Sequence, residues 1–211
     1  MYVPSHFSLS DVTDIHAFLR RHVFATIASE MAQTIAFAYA PIVFDAEPAP
    51  LGRVRFHLAR ANPLAEIADG SRVKLSIMGP HAYVSPDWYE TPGLVPTWNY
   101  VAVEGSGSVK RLPAAGLRRL LSDLSAQEEA ALAPKPPWTM GRVPRDRLES
   151  MLGAIVGFEL PFDSLEGKAK LSQNRALEDA QGVIGRLEAR GDAASMAVAA
   201  EMRKLYGQER G

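Results

Sequence analysis

Apolar and polar positions along the chain change their period twice, and those changes divide it into a strand-rich first half and a helix-rich second half. Val12, Ile15 and Leu19 recur at helical spacing behind Ser8 and Asp11, a pair that fits a capping box. Val23–Ser29 and Thr34–Asp45 then read as a hairpin turning near Glu30–Gln33, and Arg53–Leu58 as the next strand after Pro48, Pro50 and Gly52. Asn62 followed by Pro63 predicts a helix start, with Gly70 closing a short helix. Arg72–Met78 and Ala82–Ser85 are expected as two short strands. A Pro/Gly-punctuated loop, Pro86–Pro96, leads into a long strand from Thr97 to about Leu112.

The second half is helical in period. Leu117, Leu120, Leu121 and Leu124 share one side of a helix over Pro113–Ala130. Pro144–Leu152 is expected as a helix and Ala154–Leu160 as a buried strand. From about Arg175 to Tyr206 the pattern predicts two helices broken at Gly191–Asp192. No repeat or separating linker is visible. The expectation is therefore one domain over residues 1–211, mainly β with helical additions and a helical C-terminal extension over about 175–206.

Composition narrows the function classes. Of 211 residues, 47% are apolar and 22% charged, within the globular range. There is no cysteine, which removes disulfides, thiolate metal sites and cysteine catalysis, and fits a reducing cytoplasm. No run of about 18–20 apolar residues is present to span a membrane, and Met1–Phe7 has no basic-then-apolar leader pattern. The formal net charge is −1, with acids and bases interspersed, so direct DNA binding is not expected. The five histidines form no close pair with a carboxylate at ligand spacing, and no metal site is expected. Nucleophile elbows, Walker loops and dinucleotide fingerprints are missing as well.

Four segments carry candidate chemistry. His57-Leu58-Ala59-Arg60-Ala61-Asn62-Pro63 places a guanidinium beside a helix start, a combination that suits a phosphate, although the residues alone favour an Asn cap with an exposed Arg. Strand alternation in Gly79-Pro80-His81-Ala82-Tyr83-Val84-Ser85-Pro86 puts His81, Tyr83 and Ser85 on one face, for a planar polar ligand or for packing. In Val95-Pro96-Thr97-Trp98-Asn99-Tyr100, Trp98 and Tyr100 share a face, more often core or interface than cofactor stack. Glu166 to Arg175 concentrates donors around Leu171 and reads as a solvated loop first, an anion or heterocycle site second.

Taken in order, these blocks resemble the PaiB family. The opening Met1-Tyr2-Val3-Pro4 with Phe7, Trp88-Tyr89, Lys170-Leu171-Ser172-Gln173-Asn174 and the paired helices around Gly191-Asp192 complete the likeness. The resemblance implies an FMN-binding split β-barrel, a homodimer with the flavin in a groove contacted from both subunits, and a label of negative transcriptional regulator. It implies Arg60 and Asn62 at the phosphate, and Tyr83, Ser85, Trp98 and Asn99 along the ring or ribityl chain. Lys170, Ser172, Gln173 and Asn174 would close the site. A flavin-dependent redox or redox-sensing role follows, the alternative being a regulator or interaction protein without flavin. His57 and His81 are the acid–base groups to test. One departure stands out: Ala38-Tyr39-Ala40-Pro41 replaces the family's Ser/Asn-His-x-Pro, putting a phenol where a histidine donor is usual.

Overall fold

In the computed structural model, which describes residues 1–207, the chain forms nine strands and five α-helices. The strands are β1 (Ser8–Leu9), β2 (Phe24–Met31), β3 (Thr34–Asp45), β4 (Arg53–Ala59), β5 (Arg72–Val84), β6 (Thr97–Ser108), β7 (Lys110–Arg111), β8 (Ile155–Pro161) and β9 (Ser164–Lys170). The helices are α1 (Val12–Arg21), α2 (Ala114–Ala130), α3 (Arg145–Gly153), α4 (Leu177–Arg190) and α5 (Ala193–Gly207). The strands form one antiparallel sheet in the order β1-β9-β6-β5-β2-β3-β4-β8-β7. Two compact units interleave along the chain. One comprises Met1–Asp11, Met78–Val103 and Glu166 onward; the other comprises Val12–Ile77 and Glu104–Leu165.

The second of these units is built on the β2–β3 hairpin. Its turn residues Ala32 and Gln33 both have positive φ, at 48° and 66°, the geometry that matches the twist of a two-residue hairpin. Alternation buries Ala25, Ile27, Ala38 and Ala40 on the inner face. Phe56 on β4 stacks on Phe158 of β8, with ring centroids 5.4 Å apart. Helix α2 closes over β8 because Gly157 has no side chain: a Cβ there would lie 3.0 Å from Leu117. Arg55 is buried in this unit, and it stays charged because Asp45 grips it at 2.7 and 3.0 Å and Asp123 at 2.8 Å.

The other unit is held by its helical hairpin. Ala180, Val183, Ile184 and Leu187 of α4 are buried, as are Val198, Ala199 and Met202 of α5. Gly191, at φ 70°, ends α4 in the left-handed conformation that glycine adopts without strain. Asp192 then starts α5 by accepting from the Ser195 N–H at 3.0 Å.

Three expectations are revised. Arg72–Val84 is one continuous strand rather than two, because the fixed φ of Pro80 is compatible with extended backbone. The long strand from Thr97 breaks at Val109, whose N–H and C=O turn to Ser71 and Gly70; only then does β7 pair with β8. Ser164–Lys170, expected as a solvated loop from Glu166 on, is strand β9, and it pairs with β1 through Ser8 opposite Lys168.

Candidate functional site

Alternation in the outer part of β5 buries Ala82 and Val84 and leaves His81 and Tyr83 exposed. On β6, the neighbouring strand, Trp98 is 53% exposed while Asn99 is fully buried. The three rings form a cluster: Trp98 lies 6.0 Å from Tyr83, edge to face, and 6.4 Å from His81. The His81 ring is oriented by the Gly79 carbonyl, 3.1 Å from its Nδ1.

Strand β9 flanks β6 on the other side and brings cations to this unit. Lys168 lies 5.3 Å from the Tyr100 ring and 5.7 Å from the Tyr2 ring, and it donates to the Tyr2 carbonyl at 3.1 Å. Lys170 donates to the Thr97 hydroxyl. Burial, then the charges of Lys168 and Arg175, push the Lys170 ammonium below the usual lysine value. Arg175 sits over the Tyr89 ring at 5.5 Å.

The remaining donors of the Leu171 segment turn inward. Asn99 Nδ2 donates to Ser172 Oγ at 2.9 Å and approaches Met202 Sδ at 3.4 Å. Ser172 holds this position with a φ of 71°, unusual for a residue other than glycine. Gln173 accepts from the Leu171 N–H at 2.7 Å and donates to the Ala169 carbonyl at 2.6 Å, bracing the end of β9. Asn174 is exposed. Ser85 caps the turn Pro86–Trp88 by accepting from the Asp87 N–H at 3.3 Å. The following loop is tied to α4, because Asp179 accepts from Glu90 N at 2.8 Å and Thr91 N at 2.9 Å. Those bonds, Thr91 first, hold the Asp179 carboxyl below its usual value.

Arg60 and Asn62 belong to the other unit. Arg60 donates from Nε to the Gly153 carbonyl at 2.8 Å and from Nη2 to the Ile155 carbonyl at 3.3 Å. Both partners are neutral, so its charge is not cancelled by them. Asn62 accepts from the Leu64 N–H at 2.9 Å and caps a single 3-10 turn, Pro63–Glu66, in place of the expected longer helix. His57, facing Gly157 across β4–β8, has an Nδ1 with no hydrogen-bond partner among the described residues. Burial lowers its pKa, which favours the neutral imidazole. Tyr39 is 68% exposed on β3.

Sequence reasoning put His81 and Tyr83 on one strand face and Trp98 on another; the structure brings the three rings together. It also gives partners to Lys168 and Arg175, seen in the sequence only as part of a donor-rich segment, and to Asp179, which the sequence did not single out. The Lys168/Lys170 spacing of two was a usable signal once the segment is known to be a strand. Asp179 left no local signal, because its partners are backbone N–H groups about 90 residues away.

The chain matches the family described as "Putative FMN-binding domain" over residues 1–164. It is similar to the Protease synthase and sporulation protein PAI 2 of Bacillus subtilis, 31% identical over 190 residues and covering 89% of each chain. Among solved structures it resembles the FAD and heme binding protein from Mycobacterium smegmatis (TM-score 0.59, 14% identity, covering 82% of this chain and 78% of that one). It also resembles the flavocytochrome Anf3 from Azotobacter vinelandii (TM-score 0.57, 16% identity, 85% and 78% covered). At these identities the two structures speak for the fold alone. With the sheet order and the matched blocks, the chain belongs to the PaiB-type family of FMN-binding proteins, on a split-barrel fold.

Proposed function

We propose that this protein binds FMN and works as a flavin-dependent redox or redox-sensing protein in the cytoplasm. The observation that carries the reading is the open face of Trp98, Tyr83 and His81 beside the cations Lys168 and Lys170, in a chain whose family is FMN-binding. The residues fit the group. A flavin needs flat apolar surface for its ring, donors for its heteroatoms and a cation for its phosphate. Tyr83 and Trp98 would hold the ring; the family resemblance gives Arg60 to the phosphate, and its guanidinium is oriented by two carbonyls. Asn62 and Ser85 shape the adjoining backbone as caps. Asn99, Ser172 and Gln173 act through position, since their polar atoms bond within the protein.

FMN, when bound, supplies electron and hydride transfer; the chain supplies orientation and proton handling. Burial favours the neutral form of His57 and lowers its affinity for a proton, while His81 is exposed beside the aromatic rings; these two are the acid–base groups to test. Tyr39 supplies a phenol donor where the family pattern implies a histidine, which changes the hydrogen bonding available there.

The proposal includes a homodimer. Outward-facing Phe24, Ile35, Phe37 and Tyr39 lie on paired strands, with Phe24 opposite Pro41 and Tyr39 opposite Thr26. Such an apolar sheet face asks for a partner, and a second copy is the one the family resemblance supplies. A regulatory role remains compatible if the flavin reports redox state, as the name of the Bacillus relative allows; the formal charge of −1 weighs against direct DNA contact. The test is the visible absorbance of freshly purified protein, then FMN titration of stripped protein with light scattering alongside. Flavin absorbance on a species twice the 23.0 kDa chain mass is expected. A colourless monomer that fails to take up FMN would overturn the reading.

A further inference from the structure

We propose that Lys168, Lys170 and Arg175 form an anion-binding site that takes the phosphate or carboxylate of a planar aromatic substrate, which stacks on one of the near-perpendicular rings of Trp98 and Tyr83 and meets the other edge-on. The cations stand on β9 and in the segment just after it, and the rings stand on the two strands next in the sheet order. Among the described residues none of the three cations makes an ion pair with a carboxylate. Lys168 is nine-tenths buried and meets the Tyr2 carbonyl and the Tyr2 and Tyr100 rings. Lys170 has the neutral Thr97 hydroxyl. Arg175 has the Tyr89 ring and the electrostatic neighbourhood of Asp179, whose Oδ1 is already taken by two backbone N–H groups. Glu166, on the same strand, is paired with the N-terminal ammonium at 2.7 Å.

Three like charges gathered on one short stretch repel one another, and the depressed basicity of Lys170 reflects burial together with that repulsion. A structure that needed only packing here would tolerate neutral residues at lower electrostatic cost. An entering anion relieves the repulsion and gains charge-assisted hydrogen bonds, while the exposed rings of Trp98 and Tyr83 hold its aromatic part. The flavin phosphate has its own candidate in Arg60, so the ligand of this site is an anionic aromatic substrate. The inference goes beyond the flavin reading and does not rest on it.

The experiment uses calorimetry on the full chain, flavin-stripped and flavin-loaded, with wild type, Lys170→Gln, Lys170→Arg and Arg175→Gln. Far-UV circular dichroism checks that each variant is folded, and Arg175→Gln provides an independent removal of charge. One arm compares FMN with riboflavin on stripped protein; the other compares naphthyl phosphate and naphthoate with naphthol on both forms. In the naphthyl arm the anions are expected to bind more tightly than naphthol. Lys170→Gln should reduce that preference by roughly 10- to 150-fold, the range of one charge-assisted bond, and Lys170→Arg should keep most of it. Loss confined to the FMN arm would give these cations to the flavin phosphate and overturn the substrate site. A naphthyl anion preference unchanged by Lys170→Gln and Arg175→Gln, or no such preference, would overturn it as well. A protein that takes neither FMN nor riboflavin would refute the flavin reading alone, because the naphthyl arm needs no flavin.

Discussion

Replacing Asn99 by Ala separates a structural role for this residue from direct contact with a ligand. Asn99 is fully buried; its amide donates to Ser172 Oγ at 2.9 Å and approaches Met202 Sδ at 3.4 Å. Ser172 is 3% exposed, so Asn99→Ala strands its hydroxyl away from water, at a cost of about 1–3 kcal/mol. The space left beside Met202 adds roughly 0.5–1 kcal/mol at about 24 cal/mol per Å³ of cavity. The expected total is about 1.5–4 kcal/mol. Ser172→Ala alone should cost about 1 kcal/mol, since Asn99 keeps its sulfur contact. The double variant should cost at least about 1 kcal/mol less than the sum, because each single change already breaks the same bond. Urea unfolding followed by circular dichroism measures these values from the shift in midpoint at constant slope. Strict additivity, or a loss below about 0.5 kcal/mol for Asn99→Ala, would refute the reasoning. If that intact variant also lost FMN affinity, Asn99 would be a ligand contact and not a brace between β6 and α5.

Three further outcomes are expected. Arg60→Ala should weaken FMN roughly 10- to 150-fold while changing riboflavin little, because only FMN has the phosphate charge to lose; equal losses in a fluorescence titration would move Arg60 away from the phosphate. Asp192→Ala should lower the melting temperature at neutral pH. The Ser195 N–H and hydroxyl, then Arg190, hold the Asp192 carboxyl at about 2, below its usual 3.8. A depressed acid stabilises above its unfolded value and loses that contribution as pH falls, so the gap between variant and wild type should close from about pH 4 down to about 2; a gap constant across that window contradicts the capping role. Gly107→Ala should destabilise by about 1–3 kcal/mol or more, since its Cβ would sit 2.0 Å from the rigid Pro161 carbonyl oxygen; an unchanged urea midpoint would show that β6 can shift away.

Much of the fold was legible because its signals are local. The spacing of Val12, Ile15 and Leu19 marks α1, the leucines from Leu117 mark α2, and Gly191 with Asp192 breaks the tail between α4 and α5, where structure and pattern agree. Each depends on side chains within a turn or two of one another, which a sequence displays directly. Block order likewise made the family recognisable before any coordinates. Tertiary structure decided what no local signal contains. It made a strand of the charged segment Ser164–Lys170, because β1 offers ladder partners that composition cannot reveal. It turned Asn99 inward to Ser172 and Met202, partners 73 and 103 positions away, while Trp98 one residue earlier stayed in the open. It also gathered Lys168, Lys170 and Arg175 in one stretch, with Asp179 near Arg175, an arrangement that depends on where the residues of other strands and helices end up. Hydrophobic period sets which residues face inward along one element; which polar groups meet across elements is set by strand order and register, and those are properties of the folded chain.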